Sequence, residues 1–262
     1  MKEKGTTDKR TQSIYICATT FCFTYYCFMA VILLLTSLLL VCNSVATVDV
    51  MRYASVQYSI LYNEFVESSG KFYPFYGYPL NEIWQSTTAI SGWTSGFFPG
   101  VLWNLVEYNA THESLKRAID VTAPTALYTN FTSGIDIGNI GFVIMSSFGN
   151  GYRLLKFPQY LDIILTSANR LASEFSTVVR CNEPWNNNTG TFLIYIDFMM
   201  NLEILFEAAN YTNNQTLFNI AWQYANRTMY DHFRPDNSTY HILEYNKTNC
   251  HVIRKYTAQG MT

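Results

Sequence analysis

The chain is poor in charge. Asp, Glu, Lys and Arg make up 14% of its 262 residues, where about a quarter is usual for a soluble domain. The net charge of −2 gives no reason to expect nucleic acid as a partner. Histidine is scarce, and four of the six cysteines (Cys17, Cys22, Cys27 and Cys42) fall in one apolar N-terminal stretch. No Cys/His cluster with metal-ligand spacing is left, so neither a metal nor another cofactor is expected. One stretch has no charge at all: Ile14 to Val45, with the core Phe28–Val41 almost wholly apolar.

That stretch divides the chain. Residues 1–12 are polar and carry Lys2, Lys4, Lys9 and Arg10. Residues 13–46 read as a signal-anchor or a cleaved signal peptide, and both readings stay open. The uncharged run is long enough to span a bilayer, and the positive residues before it would keep the N-terminus cytoplasmic, as in a type II single-pass protein. Against the anchor, Ser44-Val45-Ala46 resembles a small-residue cleavage site. Either way, residues 47–262 are expected to be exported. Asn-x-Ser/Thr triplets open at Asn109, Asn130, Asn187, Asn210, Asn214, Asn226, Asn237 and Asn246, which fits a glycoprotein of the eukaryotic secretory route. The four N-terminal cysteines are candidates for palmitoylation. Only Cys181 and Cys250 lie in the exported part; an oxidising compartment would permit a disulfide there, but spacing does not decide it.

What the exported part has in abundance is aromatic surface, 16% of the chain with 20 Tyr and 18 Phe. That suits a large core or a ring-lined pocket for stacking on sugars. Val48–Ser68 has helical apolar spacing, and Gly70–Trp84, rich in Tyr, Phe, Pro and Gly, reads as an irregular ring-lined loop. From Trp93 a unit repeats: a Gly-rich or polar opening, an apolar helix, a turn, then an amphipathic helix. The helices are predicted at Gly100–Tyr108 and Glu113–Ala123, at Phe142–Phe148 and Gln159–Ser176 with a Gly149–Gly151 turn between them, and at Phe198–Ala209 and Gln215–His232. Openings at Trp93, Asn139 and Asp197 recur roughly every fifty residues, the mark of stacked supersecondary units. The first helix of each pair is apolar nearly all round and so inner; the second is outer. Such hairpins make an all-α toroid or solenoid. In a toroid, polar residues at the starts of the inner helices converge on a pocket at one rim. After His232 a turn and a short strand follow.

The third opening carries the most chemistry. Thr191–Asn210 is almost wholly apolar except Asp197, Asn201, Glu203 and Glu207. On a helix Asp197 and Asn201 share one face. A carboxyl set among apolar residues is desolvated, which raises its pKa and suits a general acid. A helix N-cap is the competing reading of Asp197, and the residues alone leave both open.

The motifs resemble those of the unsaturated glucuronyl hydrolases, glycoside hydrolase family 88. Trp93-Thr-Ser-Gly-Phe-Phe-Pro-Gly-Val-Leu-Trp103 is similar to that family's WTSGFxPGxLW, and Ser147-Phe-Gly-Asn-Gly-Tyr-Arg153 to its SxGNGYRL. Ile196-Asp-Phe-Met-Met-Asn-Leu202 is similar to IDNMMNL, Phe233-Arg-Pro-Asp with His241 to RPDGSxxHVVxY, and Gln259-Gly to a later QG. The resemblance runs in order from Trp93 to the C-terminus. It implies a six-hairpin (α/α) toroid, incomplete here, over residues 47–262. It also implies release of a 4,5-unsaturated uronic acid from lyase-generated, glycosaminoglycan-type oligosaccharides. In that chemistry an acid protonates the C4=C5 vinyl ether and assists water addition at C5. By resemblance the acid is Asp197, His241 and Asn139 sit around the step, Trp93 stacks on sugar, and Gln259 and Asn201 bind substrate.

The chain departs from the family in two ways. Where the family has THDxGF, this sequence has Ile137-Gly-Asn-Ile-Gly-Phe142, so a second carboxylate is replaced by the amide of Asn139. The chain also reaches Thr262 before the family's SxWARGQAW segment, leaving out about the last third of a six-hairpin barrel. Three other readings therefore stand beside the hydrolase: a carbohydrate-binding member without turnover, a truncated gene product, and a hydrolase of unsaturated rhamnogalacturonan products.

Overall fold

The computed structural model describes residues 47–78, 83–90, 92–129, 137–182 and 191–258. The apolar run at 13–46 lies outside them, as do Gln259, Asn130 and Asn187. Among the described residues no helix is long and apolar enough to cross a membrane. The chain divides into two units at Val56/Gln57. In the first, only the start of helix α1 (Thr47–Glu67) is described. The second, Gln57–Thr262, holds the remaining elements.

Three helical hairpins form the second unit. The first pairs α2 (Phe97–Tyr108) with α3 (His112–Thr122). In the second, α4 (Ile140–Ile144) runs through a π-helical turn, Met145–Gly149, into α5 (Asn150–Leu155), and α6 (Pro158–Ser173) returns. The third pairs α7 (Asn201–Thr212) with α8 (Gln215–His232). The inner layer is α2, α4–α5 and α7, and its side chains are the least accessible: Phe98, Leu102, Trp103, Val143, Ile144, Ile204 and Leu205 are buried. The outer helices bury one face each, as Tyr160, Ile164, Ala168 and Leu171 do on α6. Trp103 is fully enclosed, and its indole N–H donates to Thr122 Oγ1 at 2.9 Å, tying the first hairpin together.

Capping explains several boundaries. Thr111 and Ser114 form a reciprocal capping box at the start of α3, each satisfying a donor that the helix leaves open. Asn214 accepts from the Thr216 and Leu217 amides and starts α8. Pro158 occupies the first turn of α6, where its missing N–H removes no bond.

The structure corrects three sequence expectations. Within the predicted irregular loop, β1 (Tyr73–Tyr78) and β2 (Ile83–Thr87) are paired antiparallel strands. Gly149–Gly151 is not a turn; the helix continues and ends at Lys156, which has φ 56°. Gly151 is needed for packing: a Cβ there would lie 2.6 Å from the Tyr160 ring and 2.8 Å from Trp103. Finally, residues 191–195 are strand β5 (Thr191–Tyr195) rather than part of a helix opening. A short strand pair, β3 (Phe175–Ser176) and β4 (Cys181–Asn182), precedes it. β5 pairs antiparallel with β6 (Ile242–Asn246), which pairs with β7 (Val252–Tyr256), in the register Tyr195↔Ile242 and Ile242↔Tyr256. Phe192 and Ile194 point inward, in the alternation a half-buried strand requires.

Candidate functional site

The site is built where the inner helices begin. Each opening is a short 3-10 turn: Trp93–Gly96, Ile137–Asn139 and Ile196–Met200. Two glycines let these turns approach to backbone contact. A Cβ on Gly96 would meet the Phe142 carbonyl at 2.5 Å, and one on Gly141 would meet the Met200 carbonyl at 2.5 Å. The openings are thus zipped side by side, the first to the second through Gly96 and the second to the third through Gly141.

Side chains complete the zip. The Trp93 ring stands edge-on against Phe97 (5.9 Å between centroids) and Phe142 (5.8 Å), and remains 45% exposed. An upright, rim-mounted indole with one open face can stack on a sugar ring. Asn139 ends the second 3-10 turn and is half-buried beside α4.

Asn201 joins the second opening to the third. Its Oδ1 accepts from the Gly141 N–H at 2.8 Å, and its Nδ2 donates to the Gly138 carbonyl at 2.9 Å. It is 1% exposed. This corrects the expectation that Asn201 faces a substrate: it forms the wall behind the site. The helical register that put it on one face with Asp197 does not exist, because residues 196–200 wind as a 3-10 turn.

Asp197 lies in the first turn of that segment. Tyr195, not Asp197, is the N-cap of that turn, and Met200 is the N-cap of α7, so Asp197 holds neither N-cap position. The residue is solvent-accessible, yet the crowding of the rim strips enough water from its carboxyl to raise its pKa. The nearby backbone amides of Asp197 and Phe198, and the His241 ring, pull the other way. Loss of hydration wins because an ionised carboxylate depends on water more than a neutral acid does.

His241 immediately precedes β6. Its carbonyl accepts from the Ile196 N–H at 2.9 Å, next to Asp197. The Ala258 N–H donates to its Nδ1 at 3.3 Å, so the neutral ring carries its proton on Nε2. Tyr195 meets this ring edge to face at 5.5 Å. Trp93, Asn139, Asp197 and His241 are therefore gathered on adjoining openings of one rim; Gln259 is outside the described residues.

Beneath the rim lies a layer that sequence reasoning missed. Tyr224 is buried, with its hydroxyl unpaired among the described residues; burial raises its pKa, with Cys181, Asp197 and Tyr245 adding to the effect. His232 is fully enclosed. The available signal was the buried stripe Leu217, Ile220, Ala221, Tyr224, Thr228 and His232 on α8, in which a tyrosine and a histidine stand at apolar positions. Cys181 is buried and Cys250 half-buried, and both are free thiols, so the disulfide is absent. Of the triplets, Asn109, Asn210 and Asn237 are exposed, while Asn214, Asn226 and Asn246 are half-buried. Among the described residues no group of His, Cys, Asp and Glu has the arrangement of a metal site.

No family model matches the chain. Over 171 residues it is 36% identical to an unsaturated glucuronyl hydrolase of Formosa agariphila, covering 64% of this chain and 42% of that protein. Over 172 residues it is 23% identical to an unsaturated chondroitin disaccharide hydrolase of Streptococcus pyogenes serotype M1, covering 64% of this chain and 43% of that protein. A crystal structure of an unsaturated glucuronyl hydrolase specific for heparin superposes with a TM-score of 0.71 at 27% identity, over 82% of this chain and 57% of that one. The chain is thus homologous to unsaturated glucuronyl hydrolases over about 64% of its length, and its mostly helical fold matches their toroid. It spans under half the length of the curated relatives it matches.

Proposed function

We propose that the protein is a glycoside hydrolase of the unsaturated glucuronyl type, acting on the 4,5-unsaturated uronic acid at the end of lyase-generated oligosaccharides. The observation that carries this is Asp197, a carboxyl with a raised pKa on the third inner opening, beside the residue whose N–H bonds the His241 carbonyl. A vinyl ether is a weak base, so its protonation needs an acid kept protonated near neutrality. Asp197 delivers that proton to C4, and water adds at C5. The resulting hemiketal opens at its C5–O ring bond to a C5 ketone, and the hemiacetal this leaves at C1 breaks down to an aldehyde and the free aglycone alcohol. His241, with its proton on Nε2, donates a hydrogen bond to the carboxylate left on Asp197 or to a sugar oxygen. Trp93 supplies the stacking face, and Asn139 offers an uncharged amide to sugar hydroxyls. The names of the relatives, chondroitin in one and heparin in another, favour glycosaminoglycan-type substrates.

Incubation of the exported segment with an unsaturated chondroitin or heparin disaccharide tests this reading through loss of the ultraviolet absorbance of the C4=C5 bond. Turnover that disappears in Asp197→Asn is the expected result. Absence of turnover by a folded sample would overturn it. One observation favours a second reading: Asn139 stands where the family has a carboxylate, as in a sugar-binding member without turnover. Saturable binding of the same disaccharide without loss of absorbance would select it. A panel that includes unsaturated rhamnogalacturonan products separates the neighbouring hydrolase specificity.

The segment 13–46 is the natural means of export, as an N-terminal anchor or a cleaved signal. Exposed Asn109, Asn210 and Asn237 support glycosylation along that route. A mobility shift on treatment with an N-glycanase checks it, and alkaline carbonate extraction distinguishes anchor from cleaved signal.

A further inference from the structure

His232 lies one layer below the rim, at the last residue of α8, and its contacts converge on the peptide that carries His241. Its carbonyl accepts from the Tyr240 N–H at 2.8 Å, and its ring Nδ1 bonds the Tyr240 carbonyl at 3.0 Å. A carbonyl can only accept, so Nδ1 carries the ring proton. One residue thus holds both polar groups of Tyr240, the residue before His241. On the other side of His241, its own carbonyl takes the Ile196 N–H at 2.9 Å. These bonds form a continuous path from α8 through Tyr240 and His241 to the residue that precedes Asp197. The other ring nitrogen, Nε2, is buried with no partner among the described residues.

We propose that His232 is a positioning residue: by clamping Tyr240 it sets the orientation of the His241 ring toward Asp197. This rests on the reading of Asp197 and His241 as the reacting pair. Burial keeps the clamping ring neutral, lowering the His232 pKa to about 4 against the Tyr240 bond, which favours the protonated ring. The charged and titratable groups facing it are Asp231 on its own helix, Lys255 on β7 and His241 beside β6. Because only Nδ1 is engaged, an asparagine, whose Nδ2 occupies the Nδ1 position, can replace the ring. A glutamine, whose amide nitrogen falls at the Nε2 position, cannot.

The test compares His232→Asn with His232→Gln in the full chain, both polar and close in size. The first readout is the ring-nitrogen spectrum of 15N-histidine-labelled protein, with exposed His112 and His251 as internal controls. In the parent and in His232→Asn, His241 is expected as a single tautomer protonated at Nε2; in His232→Gln it becomes a mixture. The second readout is turnover of the unsaturated disaccharide: kcat falls by about ten- to a hundredfold in His232→Gln, with KM little changed, and recovers in His232→Asn. Identical His241 signals in all three proteins would overturn the proposal. A parent protein without turnover would sink the hydrolase reading while leaving the tautomer measurement to decide this one.

Discussion

The second and third inner openings are the same device with different chemistry. Both are 3-10 turns leading into an apolar inner helix, and they touch through Gly141 and the Asn201 amide. One presents Asn139, the other Asp197. Asn139 ends its turn at the N-cap of α4, whereas Asp197 lies in the first turn of a longer segment, and only Asp197 carries a carboxyl that can hold a proton. With an amide at the second opening, Asp197 has no neighbouring carboxylate at that position to raise its pKa by charge repulsion. Its raised pKa comes instead from lost hydration.

The largest effect is expected from removing the acid. Asp197→Asn should lower turnover by about 10²–10⁴-fold, the usual contribution of a general acid. It should leave the melting temperature unchanged or slightly higher, because the replaced carboxyl was poorly hydrated. A large drop in melting temperature would mean that Asp197 is structural and would break the contrast between the openings.

Next is the joint between them. Asn201→Ala leaves the Gly138 carbonyl and the Gly141 N–H without their partner in a buried wall. Each lost partner costs about 1–3 kcal/mol, read as a fall in the denaturant midpoint. If only substrate affinity changed, Asn201 would belong to the site surface after all.

Acid should weaken the layer below the rim. His232 titrates at about 4 in the folded protein against an ordinary 6.5. Between those values the unfolded chain binds a proton that the folded chain does not. This contribution to stability is therefore complete above about pH 6.5 and is lost as the pH falls toward 4. The gap corresponds to ~3 kcal/mol. Unfolding curves across this range should show that decline, and His232→Asn should flatten it.

The smallest expected effect sharpens the comparison directly. Asn139→Asp places a second carboxylate at the adjoining opening, and like charge favours the protonated form of Asp197. The alkaline limb of the pH–rate profile, where the acid loses its proton, should move to higher pH. An unchanged limb would mean that the two openings do not sense each other.

Much of this architecture could be read from the chain. The predicted Gln215–His232 helix occurs with those bounds, and Glu113–Ala123 and Gln159–Ser176 shift by a few residues at their ends. These outer helices face water on one side, so their apolar spacing records their geometry. Readings failed where the sequence pattern fits more than one element. The run Thr191–Tyr195 carries no period that separates strand from helix, and only pairing with β6 makes it a strand. The glycines at 149 and 151 suggested a turn, yet Gly151 answers to the rings of Tyr160 and Trp103.

The same division holds for the site. The repeat put Trp93, Asn139 and Asp197 at successive openings, and those openings do adjoin; His241, which lies at none of them, came from the resemblance alone. Whether a polar side chain there faces solvent or the wall depended on neighbours distant in sequence. Asn201 turned inward because the Gly138 and Gly141 backbone, some sixty residues away, needed a donor and an acceptor. His232 became part of the site's support because the strand after it returns across the end of α8. Local periodicity determines which residues share a helix face; long-range hydrogen bonds, which depend on how the hairpins stack, decide what those faces meet.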